Sequence, residues 1–216
     1  MKFSKYFWEL YKQSPTWEDT SKLFDTEDIA GNEFCILEKY TPFNAHAINK
    51  EYFNAMMESL YAYNVSDHDA PLTINDAKQM YESILLFGLR VEQDEEYIPM
   101  GDYQTMLGLV PVLSFLCYFH APEYFFPYLF QYKAFELNQI ADTFDIPLPP
   151  LPKKADYKAR CMYYWDLCEV FYRFRQESGL SPIELCAFLY DFAPAYIKSN
   201  SRANIPLPPP AQAWCI

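Results

Sequence analysis

Residues 155–192 constrain this chain more than any other stretch. Over 155–177, Cys161, Tyr164, Trp165, Cys168, Phe171 and Tyr172 recur at the three- and four-residue steps of one helix face. Gly179 stands where a helix end needs a residue that tolerates left-handed backbone. Ser181-Pro182-Ile183-Glu184 then has the spacing of a capping box, with proline at the first helical position. The helix it opens is apolar nearly all round as far as Phe192, so it belongs in the interior. A long one-faced helix followed by a buried one predicts a helical core.

The rest of the chain follows the same pattern. Two short helices are expected over 3–12 and 15–25, with Ser14-Pro15 as cap and first turn. Residues 33–40 read equally as a strand or as helix. Asn44 can cap a helix over 45–63, with Ile48, Tyr52, Met56, Leu60 and Tyr63 on one face. The clearest upstream helix is 74–87, opened by a Thr73/Asp76 capping pattern and closed at Gly88. Residues 89–98 read as a short strand or an acidic loop. A very apolar helix is expected over 103–119, kinked or split by Pro111. Another is expected from about 128 to 144. The run Ile146-Pro147-Leu148-Pro149-Pro150-Leu151-Pro152 predicts an extended segment.

Composition agrees with this class. Only 5 Gly are present, against 17 Pro, 19 Tyr and 18 Phe, which disfavours a turn-rich β-sandwich and any glycine-rich nucleotide loop. The expected fold is therefore all-α, a compact multi-helix domain with room for one short β-hairpin. Its core should be aromatic-rich, with many tyrosine hydroxyls needing partners. The longest mostly apolar run, Met106 to Phe119, is shorter than the roughly 20 residues that span a bilayer. The N-terminus carries Lys2, Lys5 and Glu9 rather than the apolar core of a signal peptide. Cys35, Cys117, Cys161, Cys168, Cys186 and Cys215 therefore read as free thiols, most of them buried, in a cytoplasmic protein.

Charge is unevenly spread. The chain's net charge is −12, but residues 1–152 hold 9 Lys and Arg against 23 Asp and Glu, while residues 153–216 hold 8 against 6. Phosphate contacts need Lys and Arg, so the first part would repel nucleic acid. Lys153, Lys154, Lys158 and Arg160 gather at the start of the long helix, where the helix dipole makes positive charge mildly unfavourable. Local stability does not explain them. Together with Arg173 and Arg175 they form a candidate basic binding patch, its alternative role being contact with the acidic first part of the same chain.

Other constellations are weaker. Cys117-x-x-His120 has the spacing of half a metal site, but no second half is evident. Asp67-His68-Asp69 and Glu92, Asp94, Glu95 and Glu96 read as polar loops. Cys161, Cys168 and Cys186 could share one thiol site if their helices pack together, yet no His lies beyond position 120 to activate them. Hydrolase, P-loop, Rossmann, zincin and kinase signatures do not occur. No catalytic residue, metal ligand or cofactor is assigned. Pro147-x-x-Pro150 and Pro206-x-x-Pro209 match PxxP ligands, although spacers are the commoner role.

Ile146-Pro147-Leu148-Pro149-Pro150 recurs as Ile205-Pro206-Leu207-Pro208-Pro209. The second copy precedes Ala213-Trp214-Cys215-Ile216 and reads as a linker leading into a second domain. The expected division is a helical domain over 1–200 and a Pro-rich linker over 201–216. The stretch Leu180 to Phe192, with Tyr164-Trp165-Asp166-Leu167-Cys168 before it and Val110 to Leu116 further upstream, resembles the helical N-terminal region of bacterial restriction and phage-defence proteins. The resemblance covers about residues 103–216. It implies that a PUA/EVE-like β-barrel, a fold associated with modified bases, would follow. It carries over no catalytic residue.

The expected function is a non-enzymatic recognition or interaction module of a larger bacterial protein. It would dock a protein partner or position a following nucleic-acid-binding domain. Two alternatives stand beside it: a free-standing helical protein that oligomerises, and an enzyme with a site near Cys117, His120 and Asp102. No membrane partner is expected.

Overall fold

A computed structural model of the chain describes residues 3–27, 29, 31–41, 49–51, 53–55, 57–58, 73–87, 89–91, 96–98 and 102–203. The fold is all-α. Helices α1 (Lys5–Tyr11), α2 (Pro15–Leu23) and α3 (Glu33–Tyr40) lead to α4 (Ile74–Phe87). Strands β1 (Leu89–Val91) and β2 (Glu96–Ile98) pair antiparallel, with Leu89 opposite Ile98. Then come α5 (Tyr103–His120), α6 (Ala134–Phe144), α7 (Tyr157–Ser178) and α8 (Pro182–Ala187). A π-helical turn (Phe188–Phe192) runs straight from α8 into α9 (Ala193–Ala203). Residues 33–40, ambiguous in sequence, are helical, with Phe34, Ile36 and Leu37 buried. Asn44, most of the helix expected over 45–63, the Asp67-His68-Asp69 loop, Gly88, and the Pro-rich stretch 204–216 lie outside the described residues.

The caps are where the sequence puts them. The Ser14 hydroxyl accepts from Trp17 N at 3.3 Å. Thr73 and Asp76 cap one another reciprocally, at 2.9 and 3.2 Å. Ser181 and Glu184 do the same at the head of α8. Gly179 closes α7 at φ 70°, a backbone region that a side chain strains.

Pro111 does not split its helix: α5 runs unbroken from Tyr103 to His120. A proline at 111 takes away the N–H that would bond Leu107 O. The Gln131 amide replaces it, donating to Leu107 O at 2.9 Å. The Ser114 hydroxyl donates to Pro111 O at 2.6 Å. Replacing Gln131 by Ala should therefore cost about 1–2 kcal/mol in urea unfolding, because it strands that carbonyl. Pro111→Ala restores the N–H, so the double variant should recover most of the loss.

Helices α5 and α7 make the most extensive contact between elements. Leu113, Phe115, Leu116 and Cys117 of α5 and Tyr164, Trp165, Cys168 and Phe171 of α7 are all buried in the core. Between α5 and α6 runs an irregular strap over 121–133, buried over 125–130. The expected helix from about 128 instead begins at Ala134, after a 3-10 turn at Phe130–Tyr132. Backbone polar groups taken out of water need partners, and side chains supply them here. Tyr164 donates to Phe126 O at 2.8 Å, and Tyr190 donates to Pro127 O while accepting from Leu129 N. The Ser114 hydroxyl accepts from Tyr128 N at 2.7 Å. Tyr81 and Tyr118 tie in the same way to Cys161 O and Phe24 O. The many tyrosines thus fasten irregular backbone to the helical core.

The first Pro-rich run is part of this body. Ile146 is buried, Leu148 packs on the core, and the Tyr163 hydroxyl donates to Pro149 O at 3.4 Å. It delivers the chain to the head of α7.

Candidate functional site

The head of α7 differs from the sequence expectation in one respect. The helix begins at Tyr157, so Lys153 and Lys154 lie in the turn ahead of it, closed by a hydrogen bond from Asp156 N to Lys153 O. The Asp156 carboxylate caps the helix, accepting from Ala159 N at 3.0 Å, and its charge suits the dipole. Only Lys158 opposes the dipole in the first turn. Arg160 reaches back to donate to Lys154 O at 3.3 Å, so it braces the turn.

Lys153, Lys154 and Lys158 are all exposed. Among the described residues no carboxylate lies within ion-pair distance of any of them. Lys153 and Lys158 line an open cleft of about 630 Å³ between the heads of α5 and α7. Tyr103, Gln104 and Tyr157 supply its flat and amide surfaces, and Asp102 and Asp156 its acids. Asp102 caps α5, accepting from the backbone and hydroxyl of Thr105, and these bonds hold its carboxyl below the usual range. A smaller recess of about 240 Å³ continues from it past Glu82, Leu85 and Met162, sharing Tyr103 and Lys158. The Lys158 ammonium lies 6.0 Å from the Tyr103 ring centre.

The candidate patch does not extend to the other two arginines. Lys158 and Arg173 are fifteen residues apart on one helix, roughly 22 Å of rise. Arg173 is exposed, and among the described residues it closes no ion pair, with Glu169 or otherwise. Arg175 does not belong to the expected surface patch, because it is 5% exposed. Its guanidinium donates to Glu123 O at 2.8 Å, Glu123 Oε2 at 2.6 Å and Leu180 O at 3.3 Å. The helical periodicity turns position 175 inward, where the strap's carbonyls need a donor.

The thiol alternative does not assemble. Asp102 stands at the first end of α5, with Cys117 and His120 towards the other, roughly 22 Å and 27 Å away along the axis. Cys117 is fully buried, and burial pushes its thiol up. Burial also raises Cys168, and takes Cys161 to about 11 and Cys186 to about 12. A nucleophile needs the thiolate, so these groups stay inert near neutral pH. Cys168 sits beside the Tyr164 hydroxyl and Cys186 beside that of Tyr118. Among the described residues no three His, Cys, Asp or Glu side chains are placed to hold a metal ion. Glu92, Asp94 and Glu95 lie outside the described residues. No described helix is long and apolar enough to cross a membrane.

Sequence reasoning found the lysines but missed Tyr103, Gln104 and Tyr157 as their neighbours. Tyr103 and Tyr157 each immediately follow a capping aspartate, with Gln104 next after Tyr103, and only the side-by-side packing of two helix heads brings them together. Comparison with family models, with curated proteins and with solved structures finds no match. The functional reading therefore rests on the chain's own residues.

Proposed function

We propose that this chain is a protein-docking module whose working face is the cleft between the heads of α5 and α7. The observation that carries the reading is the exposure of Lys153, Lys154 and Lys158, unneutralised by any described carboxylate, beside a tyrosine-walled cleft on a chain of net charge −12. Tyrosine flats bordered by charges of both signs suit a peptide carrying acidic and aromatic side chains. Asp102 and Asp156 disfavour a nucleic-acid backbone in the same place. The occupant is an acidic segment of a partner, or of a following domain in a longer protein.

The test is fluorescence anisotropy with a labelled glutamate–tyrosine peptide, set against a single-stranded oligonucleotide of equal charge. The peptide should bind, and more weakly as salt rises. Reversing Lys153, Lys154 and Lys158 to Glu removes contacts worth about 0.5–1 kcal/mol each, so affinity should fall roughly tenfold or more. Tighter binding of the oligonucleotide, or a peptide affinity unchanged by the triple reversal, contradicts the proposal.

A further inference from the structure

The π-helical turn Phe188–Phe192 borders a separate recess, smaller than the two at the heads of α5 and α7. A π-turn takes in an extra residue, weakens the regular helical hydrogen bonding, and is found mostly at functional positions. This one presents Leu189 and Tyr190 to a cavity of about 160 Å³, which the end of α3, the 3-10 turn and the head of α6 complete with Lys39, Tyr40, Phe130, Lys133 and Glu136. None of its lining residues belongs to the α5–α7 cleft.

Its floor is aromatic and rigid. Phe130 and Tyr190 stack at 5.0 Å between centres with 12° between planes, and Phe24 stacks on Tyr190 at 5.4 Å. Tyr40 leans on Tyr190 at 5.4 Å. The Tyr190 hydroxyl is already tied to Pro127 O and Leu129 N, so the ring cannot swing to fill the space. The edge is cationic. Lys39 is exposed beside the Tyr40 ring, and among the described residues no carboxylate pairs with it. Lys133 is 3.5 Å from Glu136, which leaves the rim with one net positive charge.

An apolar cavity of roughly 150 Å³ is large enough for a benzene-sized molecule. Aromatic walls favour a ring packed edge-on or offset. A cationic rim favours an anionic substituent on that ring, since a carboxylate–ammonium hydrogen bond is stronger than a neutral one. We propose that this recess binds a monocyclic aromatic carboxylate, its ring against Phe130 and Tyr190 and its carboxylate at Lys39 and Lys133.

The experiment uses the full chain and fluorine NMR of para-fluorobenzoate, with unlabelled benzoate, benzyl alcohol and acetate as competitors. Benzoate should displace the probe, while benzyl alcohol and acetate should be weaker by roughly tenfold. Overhauser contacts should run from the bound ring to Phe130 and Tyr190. Lys39→Gln with Lys133→Gln changes two partly or fully exposed side chains, so the thermal midpoint should hold while benzoate affinity falls roughly fivefold to tenfold. Failure of the probe to bind, equal displacement by benzyl alcohol, or contacts elsewhere than Phe130 and Tyr190 would each overturn the proposal.

Discussion

Phe188→Ala should lower the unfolding free energy by about 3–5 kcal/mol, the usual cost of emptying a phenylalanine site in a packed core. Phe188 is fully buried and opens the π-turn. Its ring lies 4.9 Å from Phe144 of α6 and 4.9 Å from Phe174 of α7, and 5.7 Å from Phe3 ahead of α1. It therefore joins three parts of the chain far apart in sequence. A domain of this kind has about 5–15 kcal/mol of stability in all, so the loss is a large share of the total. Urea unfolding followed by circular dichroism measures the shift in midpoint. Phe188→Leu, which keeps most of the volume, should cost less than about 1.5 kcal/mol. A loss under about 1 kcal/mol for the alanine variant would mean that these elements do not converge on Phe188.

Arg175→Met should cost about 2–4 kcal/mol, although arginine on a helix normally counts as a surface residue. The methionine keeps the length and removes the donors. What is lost is chiefly the satisfaction of Glu123 O and Leu180 O, because the Glu123 side chain is 59% exposed and its ion pair is weakened by water. Arg175→Lys keeps the charge but not the fork of donors, and should recover only part of the loss. Arg173→Glu, two residues away and exposed, should leave the unfolding midpoint within about 0.5 kcal/mol of its starting value. Equal effects at 173 and 175 in the same denaturation series would contradict the burial of Arg175. The comparison also decides how the basic patch is probed: reversing Arg175 would report on folding, not on docking.

Much of this architecture can be read from short-range rules. The caps at Ser14, Thr73, Ser181 and Gly179 depend only on neighbours a few residues away, and they stand where the sequence places them. Pro111 removes a donor inside α5, but the replacement comes from Gln131, twenty residues on, and no local pattern announces that bond. The strap over 121–133 was misread as helix in its second half for the same reason. Phe125, Phe126, Leu129 and Phe130 are as apolar as a helix face, but their backbone is satisfied by Tyr164, Tyr190 and Ser114. Of the candidate patch, Lys153, Lys154 and Lys158 were legible because charge out of place needs only the helix start to be seen. The inward turn of Arg175, and the meeting of Tyr103 with Lys158, follow from packing between helices.

The most direct test of the docking face is a nitrogen–proton NMR titration of the full chain with the glutamate–tyrosine peptide. The account predicts amide shifts confined to residues 102–104 and 153–158, with smaller ones at Leu85 and Met162 in the adjoining recess. Shifts that instead cluster on the exposed Tyr6, Phe7 and Leu10 of α1, or a peptide that moves no amide at the heads of α5 and α7, would contradict it.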